Sequence, residues 1–215
     1  MSIFEQLSHY GVVPVIALDD AGAALPLADA LIAGGLPVAE ITFRTAAARD
    51  TIAAMSAARP EMLVGAGTVL TVAQLDAAFE AGAQFALSPG LDAEVLSHSA
   101  KLGLPFAPGI MTPTDLQAAL RAGCKMVKFF PAIPAGGPNM LKNIAAPYAH
   151  TGIGFNPTGG VTLANLGDWL ALPDVRAVGG TWIATKADIA AGNWNTITEN
   201  ARVAVARVAE LRAAK

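Results

Sequence analysis

The stretch Met126-Val127-Lys128-Phe129-Phe130-Pro131 sets one lysine inside an apolar run. Pro131 stops the run and Pro134, Gly136, Gly137 and Pro138 follow as loop signals, so residues 126–131 are expected to form a strand buried on both faces. An ammonium taken out of water without a partner costs several kcal/mol or sheds its proton, and a neutral amine is a nucleophile. Two readings follow. Lys128 is a Schiff-base lysine, or it is a lysine whose head passes the strand end or pairs with a carboxylate.

Outward from this stretch, short β-rich runs alternate with alanine-rich helical patterns. Strands are expected at Val12–Leu18, Val38–Phe43, Leu63–Thr68, Phe85–Pro89, Phe106–Ile110, Met126–Pro131, Gly154–Gly160 and Ala177–Thr181. Helices are expected at Ala21–Ala33, Ala46–Ala58, Val72–Ala81, Ala93–Leu102, Thr114–Ala122 and Leu163–Leu170, with a short amphipathic helix carrying Ile3, Phe4 and Leu7 before the first strand. Gly34-Gly35, Gly82, Gly103 and Gly123 recur just before strands, and no linker interrupts the series. Eight βα units in 215 residues predict an α/β fold of one domain, residues 1–215, a single (β/α)8 TIM barrel with a short N-terminal helix. A doubly wound sheet is the alternative; Leu18-Asp19-Asp20-Ala21-Gly22 stands where its dinucleotide-binding glycines would lie.

Composition narrows the function classes. Apolar residues make up 53% of the chain and charged residues 14%, with a net charge of −3, which excludes a disordered or nucleic-acid-coating protein. Met1–Tyr10 lacks the basic start and apolar core of a signal peptide, and no apolar run approaches the ~20 residues of a membrane span. The expectation is a soluble cytoplasmic chain with no nucleic-acid or membrane partner. The single cysteine, Cys124, offers no disulfide, and packing explains its place before a strand. His9, His98 and His150 stand apart from one another and from carboxylate pairs, so no metal site is expected. No Gly-x-Ser-x-Gly occurs, and Trp169, Trp182 and Trp194 fit core or subunit contacts.

In a barrel the chemistry sits at the C-terminal strand ends. There the period-two rule puts Glu40, Thr42 and Arg44 on one side of the second strand and groups Lys128 with Phe130. Glu40 is a candidate general base, or an ion-pair partner that keeps the interior neutral. Arg44 is suited to clamp a carboxylate through two parallel hydrogen bonds, with Thr68 adding a hydroxyl, or it is a solvated loop arginine. Thr158-Gly159-Gly160 and Gly179-Gly180-Thr181, each expected to run into a helix, form a candidate phosphate site in which glycine lets backbone N–H groups approach the anion.

Taken together, Val13-Pro14-Val15-Ile16, Glu40-Ile41-Thr42-Phe43-Arg44-Thr45, Gly65-Ala66-Gly67-Thr68, Leu87-Ser88-Pro89-Gly90, Lys128-Phe129-Phe130-Pro131, Pro157-Thr158-Gly159-Gly160 and Gly179-Gly180-Thr181-Trp182 resemble the class I 2-keto-3-deoxy-6-phosphogluconate (KDPG) aldolases, a family that also acts on 4-hydroxy-2-oxoglutarate. The resemblance spans nearly the whole chain. It implies a homotrimeric (β/α)8 barrel that cleaves KDPG to pyruvate and glyceraldehyde 3-phosphate in the Entner–Doudoroff pathway, without metal or other cofactor. It also implies that Lys128 forms the imine and Glu40 moves the proton, while Arg44 and Thr68 hold the carboxylate. Pro89 and Phe130 would line the pocket, and Gly159, Gly160, Gly179, Gly180 and Thr181 would hold the phosphate. Thr158 resembles the gluconate-type enzymes, whereas phosphogalactonate aldolases tend to be apolar there. Thr181 departs from the commoner serine and keeps the hydroxyl. The alternatives are a phosphogalactonate aldolase and a non-catalytic phosphosugar-binding barrel.

Overall fold

Ser2 and Glu5 close a capping box, in which Glu5 N–H donates to the Ser2 hydroxyl and Ser2 N–H to the Glu5 carboxylate, so α1 (Ile3–Tyr10) starts at once; Gly11 ends it in the left-handed conformation. The chain then runs β1 (Val12–Ile16), α2 (Ala24–Ala33), β2 (Val38–Thr42), α3 (Ala48–Ala58), β3 (Leu63–Gly67), α4 (Val72–Glu80), β4 (Phe85–Leu87) and α5 (Ala93–Leu102). It continues through β5 (Phe106–Ala107), β6 (Gly109–Ile110), α6 (Pro113–Arg121), β7 (Met126–Phe129), α7 (Gly137–Ala145), β8 (Gly154–Pro157), α8 (Leu166–Leu170), β9 (Val178–Gly180), α9 (Lys186–Ala191) and α10 (Trp194–Ala213). The computed structural model describes residues 1–213.

All strand pairings are parallel, and the strands form a six-stranded sheet in the order β5-β4-β3-β2-β1-β9 and a three-stranded sheet in the order β6-β7-β8. This is an α/β fold with a curled parallel sheet, in place of the single eight-stranded ring expected from the sequence. Two residues account for the division. Pro108 interrupts the expected strand Phe106–Ile110, because proline has no N–H to give to a ladder; its carbonyl still accepts from Lys128 N–H at 2.8 Å. β8 ends at Pro157, and beyond it a lone bridge joins Thr158 to Gly179 of β9.

The side chains of β7 divide between the two faces. Phe129 packs outward against Trp169 of α8, ring centroids 6.4 Å apart, in a core that also buries Phe155. Lys128 turns the other way, into the space enclosed by the strands. Burying each such aromatic ring contributes about 1.5–3 kcal/mol, so the outward face anchors the strand and fixes where the inward lysine stands.

Several expected bounds shift. The helix expected at Leu163–Leu170 starts at Leu166, and strands β4, β8 and β9 end sooner than expected because their glycine- and proline-rich tails are loops. Gly136, Gly137 and Pro138, read as loop signals, instead open α7, where Pro138 sits in the first turn and its missing N–H goes unused. α9 and the 20-residue α10 complete the outer layer. Among the described residues no helix is long and apolar enough to cross a membrane.

Candidate active site

Glu40 sits in the middle of β2, fully buried, and its carboxyl can lie over β3 because Gly67, one inward position beyond its partner Gly65, is bare: a Cβ at Gly67 would lie 2.3 Å from Glu40 Oε1. From β7, Lys128 is 4% exposed and donates from Nζ to Glu40 Oε1 at 3.0 Å. Both sequence readings of the pair therefore meet in one contact, an ion pair that balances the interior and an amine–carboxylate couple in one lumen. A proton passed along this bond yields a free amine and a carboxylic acid with no change of net charge. The Phe130 ring lies 5.7 Å from Nζ, a further favourable contact for the cationic form.

Above the pair opens a cavity of about 210 Å³, a volume suited to a small polar ligand. Lys128 reaches into it from below, and Phe130 and Pro89 form apolar wall. Arg44 and Thr68 line one side and Thr158, Gly159, Gly160, Gly179 and Thr181 the other. Arg44 donates from Nε to Thr42 Oγ1 at 3.1 Å, and Thr42 in turn donates to the Ile16 carbonyl at 2.9 Å. The chain of bonds fixes the guanidinium at its root and leaves its terminal nitrogens for a ligand. Thr68 has φ +57°, the one non-glycine residue with positive φ among the described residues, and for a β-branched side chain this strain is of order 1–3 kcal/mol. Strain of that size at a cavity wall marks a position held by its surroundings for what its hydroxyl faces.

The glycine loops differ in their reasons. Gly159 and Gly160 have φ of +103° and +81°, which a side chain would strain, and the carbonyls of Thr158 and Gly159 are drawn away from the cavity by the N–H groups of Ala132 and Ile133. Gly179 is bare because a Cβ there would strike the Thr158 hydroxyl at 2.2 Å. Gly180 departs from expectation: it is not part of the lining, and its bare face is covered by the Trp182 indole. The helices expected directly behind these loops begin only at Leu166 and Lys186, so backbone N–H groups carry any anion binding there without a helix terminus immediately at hand. Val15, Thr42 and Val161 also line the cavity; Thr42 was signalled by its shared parity with Glu40, whereas Val15 and Val161 look in sequence like any core valine. No cluster of three or more His, Cys, Asp or Glu side chains that could hold a metal ion occurs among the described residues.

A buried amine beside a carboxylate, under a small cavity with an arginine at one side and bare glycine loops at the other, is equipped for imine chemistry on an anionic carbonyl compound. Comparison with known proteins agrees. The family described as KDPG and KHG aldolase matches residues 3–200. The chain is 46% identical to the 2-dehydro-3-deoxy-phosphogluconate aldolase of Haemophilus influenzae over 195 residues, covering 91% of each chain. It is 45% identical to the KHG/KDPG aldolase of Escherichia coli K12, covering 90% of each. A solved structure of the KDPG aldolase of Legionella pneumophila, with pyruvate captured at low pH as a covalent carbinolamine, superposes with a TM-score of 0.89 at 39% identity, covering 94% of this chain and 97% of that one. The chain belongs to the KDPG and KHG aldolase family.

Proposed function

We propose that this protein is a Schiff-base lyase that cleaves KDPG to pyruvate and glyceraldehyde 3-phosphate and also takes 4-hydroxy-2-oxoglutarate, with Lys128 as the imine-forming residue. The observation that carries this reading is the 3.0 Å contact between buried Lys128 and buried Glu40 beneath the cavity. The free amine attacks the keto carbon, the carbonyl oxygen leaves as water, and a protonated imine results. As the C3–C4 bond breaks, its electron pair flows to the imine nitrogen and the C4 hydroxyl gives its proton to Glu40, directly or through water. Glyceraldehyde 3-phosphate departs, Glu40 returns a proton to C3 of the enamine, and water releases pyruvate from Lys128.

Arg44 and Thr68 hold the keto-acid carboxylate against the imine, since a guanidinium can give two parallel hydrogen bonds to a carboxylate. Pro89 and Phe130 exclude water from the reacting carbons. The loops at Thr158–Gly160 and Gly179–Thr181 receive the phosphate by backbone N–H groups and the Thr181 hydroxyl; Gly180 contributes by letting Trp182 pack. Thr158 supports the gluconate epimer over the galactonate one.

The strand pieces support a single closed eight-stranded barrel comprising residues 1–215. In it β5 and β6 are one strand interrupted at Pro108, and the Thr158–Gly179 bridge closes the ring between β8 and β9. The protein works as a cytoplasmic homotrimer without a metal or other cofactor, as its resemblance to the family implies. Coupling pyruvate release to lactate dehydrogenase tests the function: turnover should be highest on KDPG, lower on the galactonate epimer and on 4-hydroxy-2-oxoglutarate. Binding of KDPG with no pyruvate formed would leave only the phosphosugar-binding reading.

A further inference from the structure

Asn156 lies on β8 in register with Lys128 on the neighbouring β7, and residues paired this way project to the same side of a sheet. Lys128 projects into the lumen, so Asn156 does too, one step below Thr158. It is fully buried, as is Glu40, and both lie under the floor of the cavity instead of in its wall. The Thr158 hydroxyl donates to Asn156 Oδ1 at 2.9 Å, which fixes the amide plane. Two lumen atoms are then left with no hydrogen-bond partner among the described residues, a donor at Asn156 Nδ2 and an acceptor at Glu40 Oε2.

Each orphan is costly, because a buried polar atom without a partner forfeits about 1–3 kcal/mol. Turning the amide over would not help: it would leave Oδ1 as the orphan and aim an acceptor at the lumen that holds the carboxylate. A buried donor and a buried acceptor left unpaired on two residues that both neighbour Lys128, one by register and one by hydrogen bond, suit a single water, which makes two to four such bonds when buried. β1 and β3 bring only Val15, Gly65 and Gly67 against Glu40, so the charged group that meets it is Lys128 from β7; Arg44 lies past the end of β2 and bonds to Thr42. Asn156 is the neutral donor left.

We propose that Asn156 is a positioning residue for Glu40: its Nδ2 donates to a buried water that donates in turn to Glu40 Oε2, so that Oε1 is left to Lys128 and the substrate. This rests on the Schiff-base reading above for its functional part. The step it serves is removal of a methyl proton from the pyruvate imine. The C–H bond breaks, its electron pair moves to the imine nitrogen to give the enamine, and the proton passes to the Glu40 carboxylate. Lys128 is the group that bonds to pyruvate, through its contact with Glu40 Oε1, whereas removal of the methyl proton is the step that needs the Glu40 carboxylate as base.

Two rates measured on one enzyme separate these roles: borohydride trapping of pyruvate on the chain, and exchange of pyruvate methyl protons for deuterium. Asn156→Val should lower exchange at least tenfold at saturating pyruvate and leave the trapping rate and the pyruvate KM within about twofold. Asn156→Ser, which restores a small hydroxyl and room for water, should recover part of the exchange. Equal losses of both rates, or unchanged exchange in Asn156→Val, would overturn the proposal. A crystal structure of the unliganded protein at a resolution that orders water should place one water within hydrogen-bond reach of both Asn156 Nδ2 and Glu40 Oε2. Its absence would overturn the bridge whether or not the protein is an aldolase, whereas a wild type that traps no pyruvate would fail the Schiff-base reading instead.

Discussion

The two ends of the strands make opposite use of charge. At the N-terminal end, α1, Lys125, Arg176 and Arg212 surround an open recess of about 870 Å³, four times the volume of the cavity at the other end. Its charges are solvated or structural: Lys125 is exposed, and Arg212 from α10 donates to the carbonyls of Ser8 and His9, tying the last helix to the first. At the C-terminal end a smaller cavity covers a lysine and a glutamate that are both withdrawn from water. Size does not mark the site; the buried, paired charge does. Lys125, just before β7, and Lys128, within it, show this three residues apart and with opposite fates.

The largest expected effect breaks that contrast directly. Lys128→Ala should lower kcat by at least about a thousandfold in the lactate dehydrogenase coupled assay, as expected when a covalent nucleophile is removed, while Lys125→Ala should stay within about twofold of wild type. Glu40→Gln comes next. It keeps the shape and leaves imine formation possible but slow, and should reduce kcat by about 10²–10⁴, the range of general acid–base catalysis. On the outward face of the same strand, Phe129→Ala should cost about 3–5 kcal/mol in a urea titration. Lysine trapping should persist in whatever fraction remains folded.

The smallest effect lies at the rim. Asp115 caps α6 by accepting from Met111 and Thr112 N–H groups at 3.0 and 2.9 Å. Burial raises its carboxyl, but these bonds and that of the Thr112 side chain outweigh burial and hold it below the usual carboxylate range. A lowered folded value stabilises the fold above the unfolded value near 4, and that stability disappears as the pH falls through the folded value. Asp115→Asn should therefore lose about 1 kcal/mol at pH 7, and its deficit against wild type should shrink in melts taken below pH 4.

Much of the site was legible because two rules act locally. Period two grouped Glu40 with Thr42 and Arg44, and an apolar run around one lysine singled out Lys128. What stayed hidden depends on the chain's path. Nothing in the letters of Gly67-Thr68 says that Thr68 takes a left-handed conformation. Asn156 falls within the expected strand Gly154–Gly160 with no signal of its own, and only the β7–β8 register places it beside Lys128. Strand tails were overextended where glycine and proline follow apolar residues, as at Ser88-Pro89 and Thr158-Gly159, since period alone cannot say where a ladder stops. The Pro108 interruption was equally silent: proline forbids one donor, and whether a ladder needs that donor depends on the neighbouring strand.

The central claim is that the buried amine of Lys128 is the group that bonds to substrate. Incubation of the protein with pyruvate and borohydride, followed by peptide mass analysis, tests it most directly. The account predicts one reduced pyruvate adduct per chain, carried by the peptide containing Lys128 and lost in Lys128→Ala. An unmodified mass, or an adduct on Lys125 or any other lysine with Lys128 unaltered, would contradict it.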